Sequence, residues 1–178
     1  MRGAVLCFAA AILVLWMPVN AAGKVKCPKG TEPRSVTNKF GTVTHSCYDA
    51  AGKKQGPEVA VYKNGRKSHE GENRDGSYHG KWTYWYKNGK KEQEGEYRDG
   101  DMRGTWTYWN ENGQKKAEGE YRNGIEHGKW TDWWESGQKK DEGQYRDTHM
   151  HGKWTWWNKD GSLKKVEHYD NGKLIKTE

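Results

Sequence analysis

A tandem repeat of 24 residues dominates the chain. From residue 59 to residue 178 it consists of five consecutive units without a gap: 59–82, 83–106, 107–130, 131–154 and 155–178. The second unit reads TYWYKNGKKEQEGEYRDGDMRGTW and the third TYWNENGQKKAEGEYRNGIEHGKW, so most landmarks recur at the same offset. A unit this short cannot bury a core of its own and must pack on its neighbours. The sequence therefore predicts a stacked array of repeats.

Each repeat carries two dipeptides that favour tight turns. The first series is Asn64-Gly65, Asn88-Gly89, Asn112-Gly113, Ser136-Gly137 and Asp160-Gly161, and the second is Asp75-Gly76, Asp99-Gly100, Asn123-Gly124 and Asn171-Gly172, with Asp147-Thr148 as the departure. Asn-Gly and Asp-Gly favour type I′ hairpin turns, and the stretches between them are rich in Trp, Tyr and Thr and of strand length. We expect an all-β fold, an elongated antiparallel meander of tandem β-hairpins with about ten to twelve strands.

The composition indicates that aromatic rings hold this sheet together. The chain has 11 Trp and 10 Tyr, whereas apolar residues make up only 32% of it, well below the usual half. This mixture argues against an α/β enzyme with an aliphatic core, and the many aromatic residues argue against disorder. Flat packing of rings is the expected source of stability.

Counting outward from a two-residue turn at Asn88-Gly89 predicts the pairing of the second hairpin. The predicted pairs are Tyr86 with Lys91, Tyr84 with Gln93 and Trp82 with Gly95, and the same count pairs Trp106 with Gly119 and Trp130 with Gly143. A glycine opposite an indole leaves room for the ring. One face then carries Trp82, Tyr84, Tyr86, Gly95 and Tyr97, and the other carries Trp85 with Thr83, Glu94, Glu96 and Arg98, whose long stems could cover the ring.

Two tryptophan positions recur in four units and are interpreted as structural. They are Trp82, Trp106, Trp130 and Trp154, and Trp85, Trp109, Trp133 and Trp157. A residue required in every unit is more readily explained by packing between repeats than by a ligand.

Two positions on the first face vary while their neighbours stay fixed. One holds Tyr84, Tyr108, Asp132 and Trp156, and the next holds Tyr86, Asn110, Trp134 and Asn158. Rigid aromatic side chains give contact area at a small entropic cost. The candidate binding residues are therefore Tyr84, Tyr86, Tyr108, Asn110, Trp134 and Trp156. The alternative is a solvated sheet face without a ligand.

No pattern in the sequence points to catalysis, a metal or a cofactor. The recurrent Glu94, Glu118 and Glu142 lie in equivalent settings, whereas acid–base pairs need contrasting ones; no nucleophile elbow or phosphate loop is present. His79, His127 and His151 share an offset that Arg103 occupies in the second unit, so they are interpreted as polar groups supporting turns. His149 and His151 could chelate, but two ligands do not make a zinc site.

The N-terminal residues 1–21 have the features of a secretory signal peptide. Arg2 precedes an apolar stretch of 15 residues, Ala4–Pro18, and Val19-Asn20-Ala21 offers a cleavage site. The stretch is short for a membrane span, which needs about 20 residues; an uncleaved anchor is the alternative. Cys7 lies too early for a lipid-attachment cysteine. We expect an exported protein.

Residues 22–58 form a separate segment with two cysteines. Cys27 and Cys47 lie 20 positions apart, and in an exported chain such a pair most simply forms one disulfide. A metal site would need two further ligands, which are not nearby. Gly52 and Gly56 match the offsets of Gly76 and Gly80, so the segment ends in a degenerate half repeat.

The net charge of +7 lies mainly in this segment. Residues 23–58 carry seven basic and three acidic side chains, whereas residues 59–178 carry 23 and 21. With no basic stripe along the array, nucleic acid is not the expected partner.

The recurring pattern G-K-W-T-x-W-x-x-N-G-x-K-x-x-E-G-x-Y-x-x-G resembles the bacterial variant of the MORN repeat. The resemblance is close over residues 59–178 and faint over residues 48–58. Departures are Asn73 for Tyr, Thr148 for Gly, and Glu178 for Trp, the last interpreted as a polar cap. The family also includes antitoxin-like and exported proteins. The resemblance implies a non-catalytic interaction scaffold, linked to membrane association or to binding of a partner protein.

We therefore expect an exported repeat scaffold that binds another macromolecule through the aromatic face or the sheet edge. A protein partner is expected, a toxin or an envelope component. One alternative is a glycan or cell-wall ligand, since Trp and Tyr also stack on sugar rings. Another is an anionic membrane surface, contacted through Lys24, Lys26, Lys29, Lys53 and Lys54. A hydrolase is the contrasting class. The Lys-rich last strand, Lys164 to Lys176, is expected to discourage pairing between sheet edges.

Overall fold

The computed structural model describes residues 25–178, which form one antiparallel sheet of 13 strands in chain order. The strands are β1 (Glu32–Thr37), β2 (Val43–Tyr48), β3 (Lys54–Val61), β4 (Lys67–Arg74), β5 (Ser77–Trp85), β6 (Lys91–Arg98), β7 (Asp101–Trp109), β8 (Lys115–Arg122), β9 (Ile125–Trp133), β10 (Lys139–Arg146), β11 (His149–Trp157), β12 (Leu163–Asp170) and β13 (Lys173–Thr177). The predicted all-β meander is confirmed. The extra strands come from residues 22–58, which contribute β1, β2 and most of β3.

The expected signal peptide, residues 1–21, lies outside the described residues, as does Lys24. Within residues 25–178, nothing helical has the length and apolarity that crossing a bilayer requires.

The turns between β6 and β7 and their equivalents are of the predicted type. Asp99 and Gly100 both have positive φ, 54° and 94°, as a type I′ turn requires. The amide of Gly100 also donates a hydrogen bond to the carbonyl of Tyr78, one repeat earlier, at 2.9 Å. This bond recurs along the array, so the turn glycines join neighbouring repeats along one border of the sheet.

The turns of the Asn88-Gly89 series are not type I′, contrary to the prediction. Only Gly89 has positive φ, at 88°. The amide of Gly89 donates to the carbonyl of Tyr86, and that of Tyr86 donates to Lys90, each at 2.9 Å, which gives a three-residue loop with glycine in the left-handed position. Asn88 uses its side chain instead: Oδ1 accepts from the Lys90 amide, and Nδ2 donates to the carbonyl of Glu111 in the next repeat, both at 2.9 Å.

A bulge after Tyr84 compensates for the longer loop. Tyr84 pairs with Gln93 and Trp82 with Gly95, as predicted, but the predicted pair of Tyr86 with Lys91 is wrong, because Trp85 pairs with Lys91. The bulge absorbs the residue that the loop adds, so the register of the inner pairs is the one that a two-residue turn would give.

Each core indole lies over a glycine of the preceding strand. A Cβ added to Gly71 would overlap the ring of Trp82, and one added to Gly95 would overlap Trp106. The ring of Trp82 therefore covers Gly71 of β4, although Trp82 pairs with Gly95 of β6. Gly71 lies where the β4–β5 register is broken between Glu70 and Glu72. Equivalent contacts join Gly119 to Trp130 and Gly143 to Trp154.

Aromatic rings form the core of the array. The indoles of Trp82, Trp106 and Trp154 are 2% exposed or less, and tyrosines meet them edge-on: the Tyr97 and Trp106 ring centroids are 4.9 Å apart at 78°. A small aliphatic core lies at the N-terminal end, where Val25 and Val59 pack on Cys47. The predicted disulfide between Cys27 and Cys47 is confirmed.

The positions of tryptophan and glycine change together at both ends of the array. One repeat before Trp82 the equivalent residue is Glu58, and one repeat before Gly71 it is Cys47. At the other end, Glu178 lies one repeat after Trp154, and Glu167 lies one repeat after Gly143. Where the indole is missing, the glycine that it would cover is missing too.

Candidate interaction surface

The first variable position lies on the face formed by the core indoles. We call this surface, with the rings of Tyr84, Tyr108 and Trp156 and the tyrosines equivalent to Tyr97, the aromatic face. The rings of Tyr84 and Trp156 are inclined by 28° and 29° to the indoles of Trp82 and Trp154, with centroids 6.0 and 5.9 Å apart. All three are partly exposed, so each ring packs on the core and also reaches solvent.

The tyrosine hydroxyls on this face are kept in their neutral form. The hydroxyls of Tyr108 and Tyr121 lie 3.0 Å apart, in hydrogen-bond contact. Burial, then the neighbouring Tyr121, raise the pKa of Tyr108, and burial, then Tyr97, raise the pKa of Tyr84. The rings of this face are therefore uncharged hydrogen-bonding groups at neutral pH.

The second variable position joins neighbouring repeats. The Tyr86 hydroxyl donates to the carbonyl of Trp109 at 2.7 Å, and Trp134 Nε1 donates to the carbonyl of Trp157 at 3.3 Å. Asn110 at the same position has a buried Nδ2 that donates to no acceptor among residues 25–178. Tyr86 and Trp134 therefore have a structural use in the array itself, whereas Tyr84, Tyr108 and Trp156 make no such bond to the next repeat.

The aromatic face is interrupted by three carboxylates, Glu126, Asp132 and Asp141, which we call the acidic notch. Asp132 occupies the position of Tyr84 and pairs across the strands with Asp141. Trp130 is reoriented beside it: its Nε1 donates to Asp132 Oδ2 at 3.2 Å. The three equivalent indoles, of Trp82, Trp106 and Trp154, donate to backbone carbonyls instead.

Asp141 is held in an environment that disfavours its charge. Only 6% of the residue is exposed, and burial, then the facing Asp132, raise its pKa to about 6. Burial and Asp132 also raise the pKa of Glu126. Lys140 Nζ forms an ion pair with Asp141 at 3.7 Å from its Oδ2 and partly offsets this rise in pKa.

The recurrent glutamates give no sign of this pair, because the two aspartates lie in positions that vary between repeats. The register does indicate it. Since Tyr84 pairs with Gln93, a shift of two repeats pairs Asp132 with Asp141.

The opposite face, which we call the charged face, carries a regular ladder. Lys91 Nζ lies 2.8 Å from Glu94 and 5.5 Å from the ring centroid of Trp109, and Thr83 Oγ1 donates to Glu94 at 3.4 Å. Burial favours the neutral form of Glu94, but Lys91 and Lys81 outweigh it and lower the pKa. The same contacts recur with Lys115 and Lys139, as expected of charged stems that cover an indole.

The three histidines at the position of Arg103 lie beside the turns. Nδ1 of His79 and His127 lies 3.5 Å from the turn residues Asp99 and Asp147, and that of His151 lies 3.5 Å from Asp170, the last residue of β12. None of the three Nδ1 atoms makes a hydrogen bond within residues 25–178, so their support of the turns stays a prediction. Nowhere in residues 25–178 do three His, Cys, Asp or Glu side chains converge as a metal site would require.

A buried polar cluster at the N-terminal end was not predicted. Glu58 is 1% exposed and lies at the tryptophan position. Its Oε2 accepts hydrogen bonds from Ser46 Oγ, Lys54 Nζ and Asn73 Nδ2 at 2.8, 2.6 and 3.2 Å, and Oε1 lies 3.3 Å from His69 Nε2. Burial raises the pKa of Glu58, but the bonds from His69, Lys54 and Ser46 outweigh it and lower the value to about 2. Asn73, a departure from the repeat pattern, thus donates one of the hydrogen bonds of this cluster.

These features define the class of protein: an all-β tandem hairpin repeat protein with an aromatic sheet face. The MORN repeat variant matches the chain at residues 78–99, 102–123, 126–147 and 150–171. The repeat array therefore belongs to the MORN repeat variant family, as the resemblance in the sequence implies. Each match spans one hairpin and its following turn.

Solved structures add little to this assignment. The chain is similar to that of an S. aureus TarM mutant in complex with fondaparinux, α-GlcNAc-glycerol and UDP, at 10% identity and a TM-score of 0.31. The likeness covers 69% of this chain and 21% of that one. Among curated proteins, none matches the chain significantly.

Proposed function

We propose that the chain is an exported, non-catalytic scaffold that binds a protein, a toxin or an envelope component, through its aromatic face. MORN repeats are binding and scaffold modules. The observation that carries the proposal is the row formed by Tyr84, Tyr108 and Trp156. The core indoles already close the sheet, and Asp132 in the same row indicates that folding does not require a ring there. Surface rings that the fold does not require are typical of protein contacts.

Export is supported by two features. The disulfide between Cys27 and Cys47 is of a kind that persists in oxidising compartments. Residues 1–21 carry the charge, apolar stretch and small-residue site of a secretory signal.

One cleft of the described residues differs from an ordinary small-molecule site. A shallow cleft of about 220 Å³, lined by Arg98, Met102, Arg103 and Asn123 among others, lies at the turn border. Ordinary small-molecule sites are about 300–1,000 Å³ and largely apolar. The cleft is smaller and more polar than such a site.

Two adjacent tryptophans provide a matched test. Trp156 lies on the aromatic face, whereas Trp157 lies on the charged face, with Lys139 Nζ 5.6 Å from its ring centroid. The purified, disulfide-bonded chain is immobilised and exposed to solubilised envelope from the native source. We expect Trp156→Ala to lose the specifically retained protein and Trp157→Ala to keep it, with thermal unfolding of both variants as a check on folding. Equal retention by both variants would count against the aromatic face.

The same variants separate a glycan ligand from a protein ligand. If the ligand is a wall polymer, soluble wall fragments will change the tryptophan fluorescence of the native chain and leave Trp156→Ala unchanged. Retention of a protein, with no response to wall fragments, supports the proposal.

A further inference from the structure

In the acidic notch, two carboxylates face each other across neighbouring strands of the aromatic face. Asp132 on β9 replaces a ring, and Asp141 on β10 faces it. The other residues at the position of Asp141 are His69, Gln93, Ala117 and Lys165. Like charges directly opposite each other in a sheet are unfavourable. The array alone gives no reason to place them there.

Within residues 25–178, the three carboxylates of the notch have a single ion-pair partner, Lys140. Asp141 is more than nine-tenths buried, and a buried carboxylate normally has several donors or a close cation. Lys140, at 3.7 Å from Asp141, also lies 5.7 Å from the ring centroid of Trp134. Lys165 bonds both oxygens of Glu167 at 3.0 Å and lies over Trp156. Of these two lysines only Lys140 pairs with the notch, so Glu126 and Asp132 have no ion-pair partner among residues 25–178.

The surroundings of the notch complement a cation. Ala117 of β8, a small residue, pairs with Asp132 from the other side. Tyr108 and Trp156 lie on either side along the row, and the faces of aromatic rings attract cations. A carboxylate pair flanked by rings provides both the charge and the flat walls that a guanidinium or ammonium group requires.

From these observations we infer that the acidic notch is the seat of one cationic side chain, an arginine or a lysine, of the protein partner. The inference rests on the proposed function and names the chemistry of the partner at one point of the aromatic face. The partner residue would neutralise the facing aspartates, and the aromatic rings would contact its alkyl stem and the residues beside it.

A double-mutant cycle with defined peptides tests the inference. Binders of the disulfide-bonded chain are selected from a random peptide library, and each is resynthesised with its arginine as citrulline or its lysine as norleucine. Asp132→Asn combined with Asp141→Asn removes the charge of the notch without changing its shape. Glu120→Gln combined with Glu135→Gln, both outside the notch, is the control with the same change in net charge.

We expect basic residues to be enriched, and the neutral analogue to bind the native chain and the control at least tenfold more weakly. Against the notch variant the two peptides should differ by less than twofold. Because the notch variant removes repulsion, it should unfold at the same or a higher temperature, so that its loss of binding does not come from misfolding. Equal sensitivity to the analogue in all three proteins, or binders without basic residues, would overturn the inference.

The same peptides distinguish failure of this inference from failure of the proposed function. If Trp156→Ala weakens binding of all peptides but the notch variant has no selective effect, only the inference is wrong. If Trp156→Ala leaves every peptide bound as before, the aromatic face is not the binding surface, and the proposed function fails with it.

Discussion

Gly95 lies so close beneath the indole of Trp106 that a methyl group on its Cα would overlap the ring. The ring donates its Nε1 hydrogen to the carbonyl of Glu96, the next residue, at 3.2 Å. The indole thus replaces solvent over a bulge where the ladder is interrupted. The packing of an indole on a glycine recurs at Gly71, Gly119 and Gly143, and it explains why the chain needs glycine at a position whose backbone is not left-handed.

Replacing Gly95 by alanine should destabilise the fold by about 2–3 kcal/mol, because the new methyl group must displace a buried ring. Urea unfolding of Gly95→Ala measures the effect. Gly104→Ala is the control: its φ is 65°, with no atom within 4 Å of an added Cβ, so it costs only the backbone strain of about 1 kcal/mol. Equal losses would mean that the ring is not packed on the glycine.

Replacing Thr148 by glycine should stabilise the fold by about 1 kcal/mol, because Thr148 has a φ of 69°, which is unfavourable for a β-branched residue. The other turns of this series have glycine there. The hydrogen bond from the amide of Thr148 to the carbonyl of Glu126, at 3.0 Å, does not depend on the side chain. Thermal unfolding measures the gain. Thr105→Gly, within β7, should instead lower stability, since glycine weakens a strand.

Asp141→Asn should stabilise the protein at pH 7.5 and have little effect at pH 4. The folded-state pKa of Asp141, about 6, lies above that of an unfolded aspartate, about 3.9. The native state therefore binds the extra proton, and stability falls as pH rises from about 4 to 6. The gain should be on the order of 1–3 kcal/mol, measured by urea unfolding between pH 4 and 8. A gain of the same size at every pH would mean that ionisation of Asp141 is not its cause.

Glu58→Gln should cost about 3 kcal/mol at pH 7, because it leaves the partly buried Lys54 without its counter-charge. Since the pKa of Glu58 is lowered to about 2, its contribution is present above about pH 4.3 and is lost as pH falls towards 2. Glu70→Gln, which removes an exposed partner of Lys67, should cost less than about 1 kcal/mol. Chemical denaturation at pH 7 and pH 3 measures the free energy of unfolding of both variants. The difference between their losses of stability should be smaller at pH 3.

The architecture was predictable because its determinants are local. Each repeat contains the dipeptides that form its turns, and the pairing of Trp82 with Gly95 follows from counting outward from one of these turns. The form of the Asn88-Gly89 loop was not predictable at the same level, because an Asn-Gly dipeptide suits both a two-residue turn and a three-residue loop closed by glycine. Which glycine each indole covers depends on the direction of the side chain, which strand pairing does not specify.

The candidate surface was predictable only in part. The register places Tyr84, Tyr108 and Trp156 in one row, and whether a partner uses that row stays a prediction. Glu58 was missed because its burial depends on Ser46, Lys54 and His69, which reach it from three different strands. Asp141 was missed because a single aspartate carries no signal until its cross-strand neighbour is identified.

Since strand order follows chain order, every hairpin meets only those that directly precede and follow it. A gene could gain or lose one 24-residue cassette without disturbing the rest of the product. Insertion ahead of the notch would carry it about 10 Å further from the disulfide-linked end, given about 4.8 Å per strand. The number of repeats would then set the distance between the notch and the disulfide-linked end, while the chemistry of each stays unchanged.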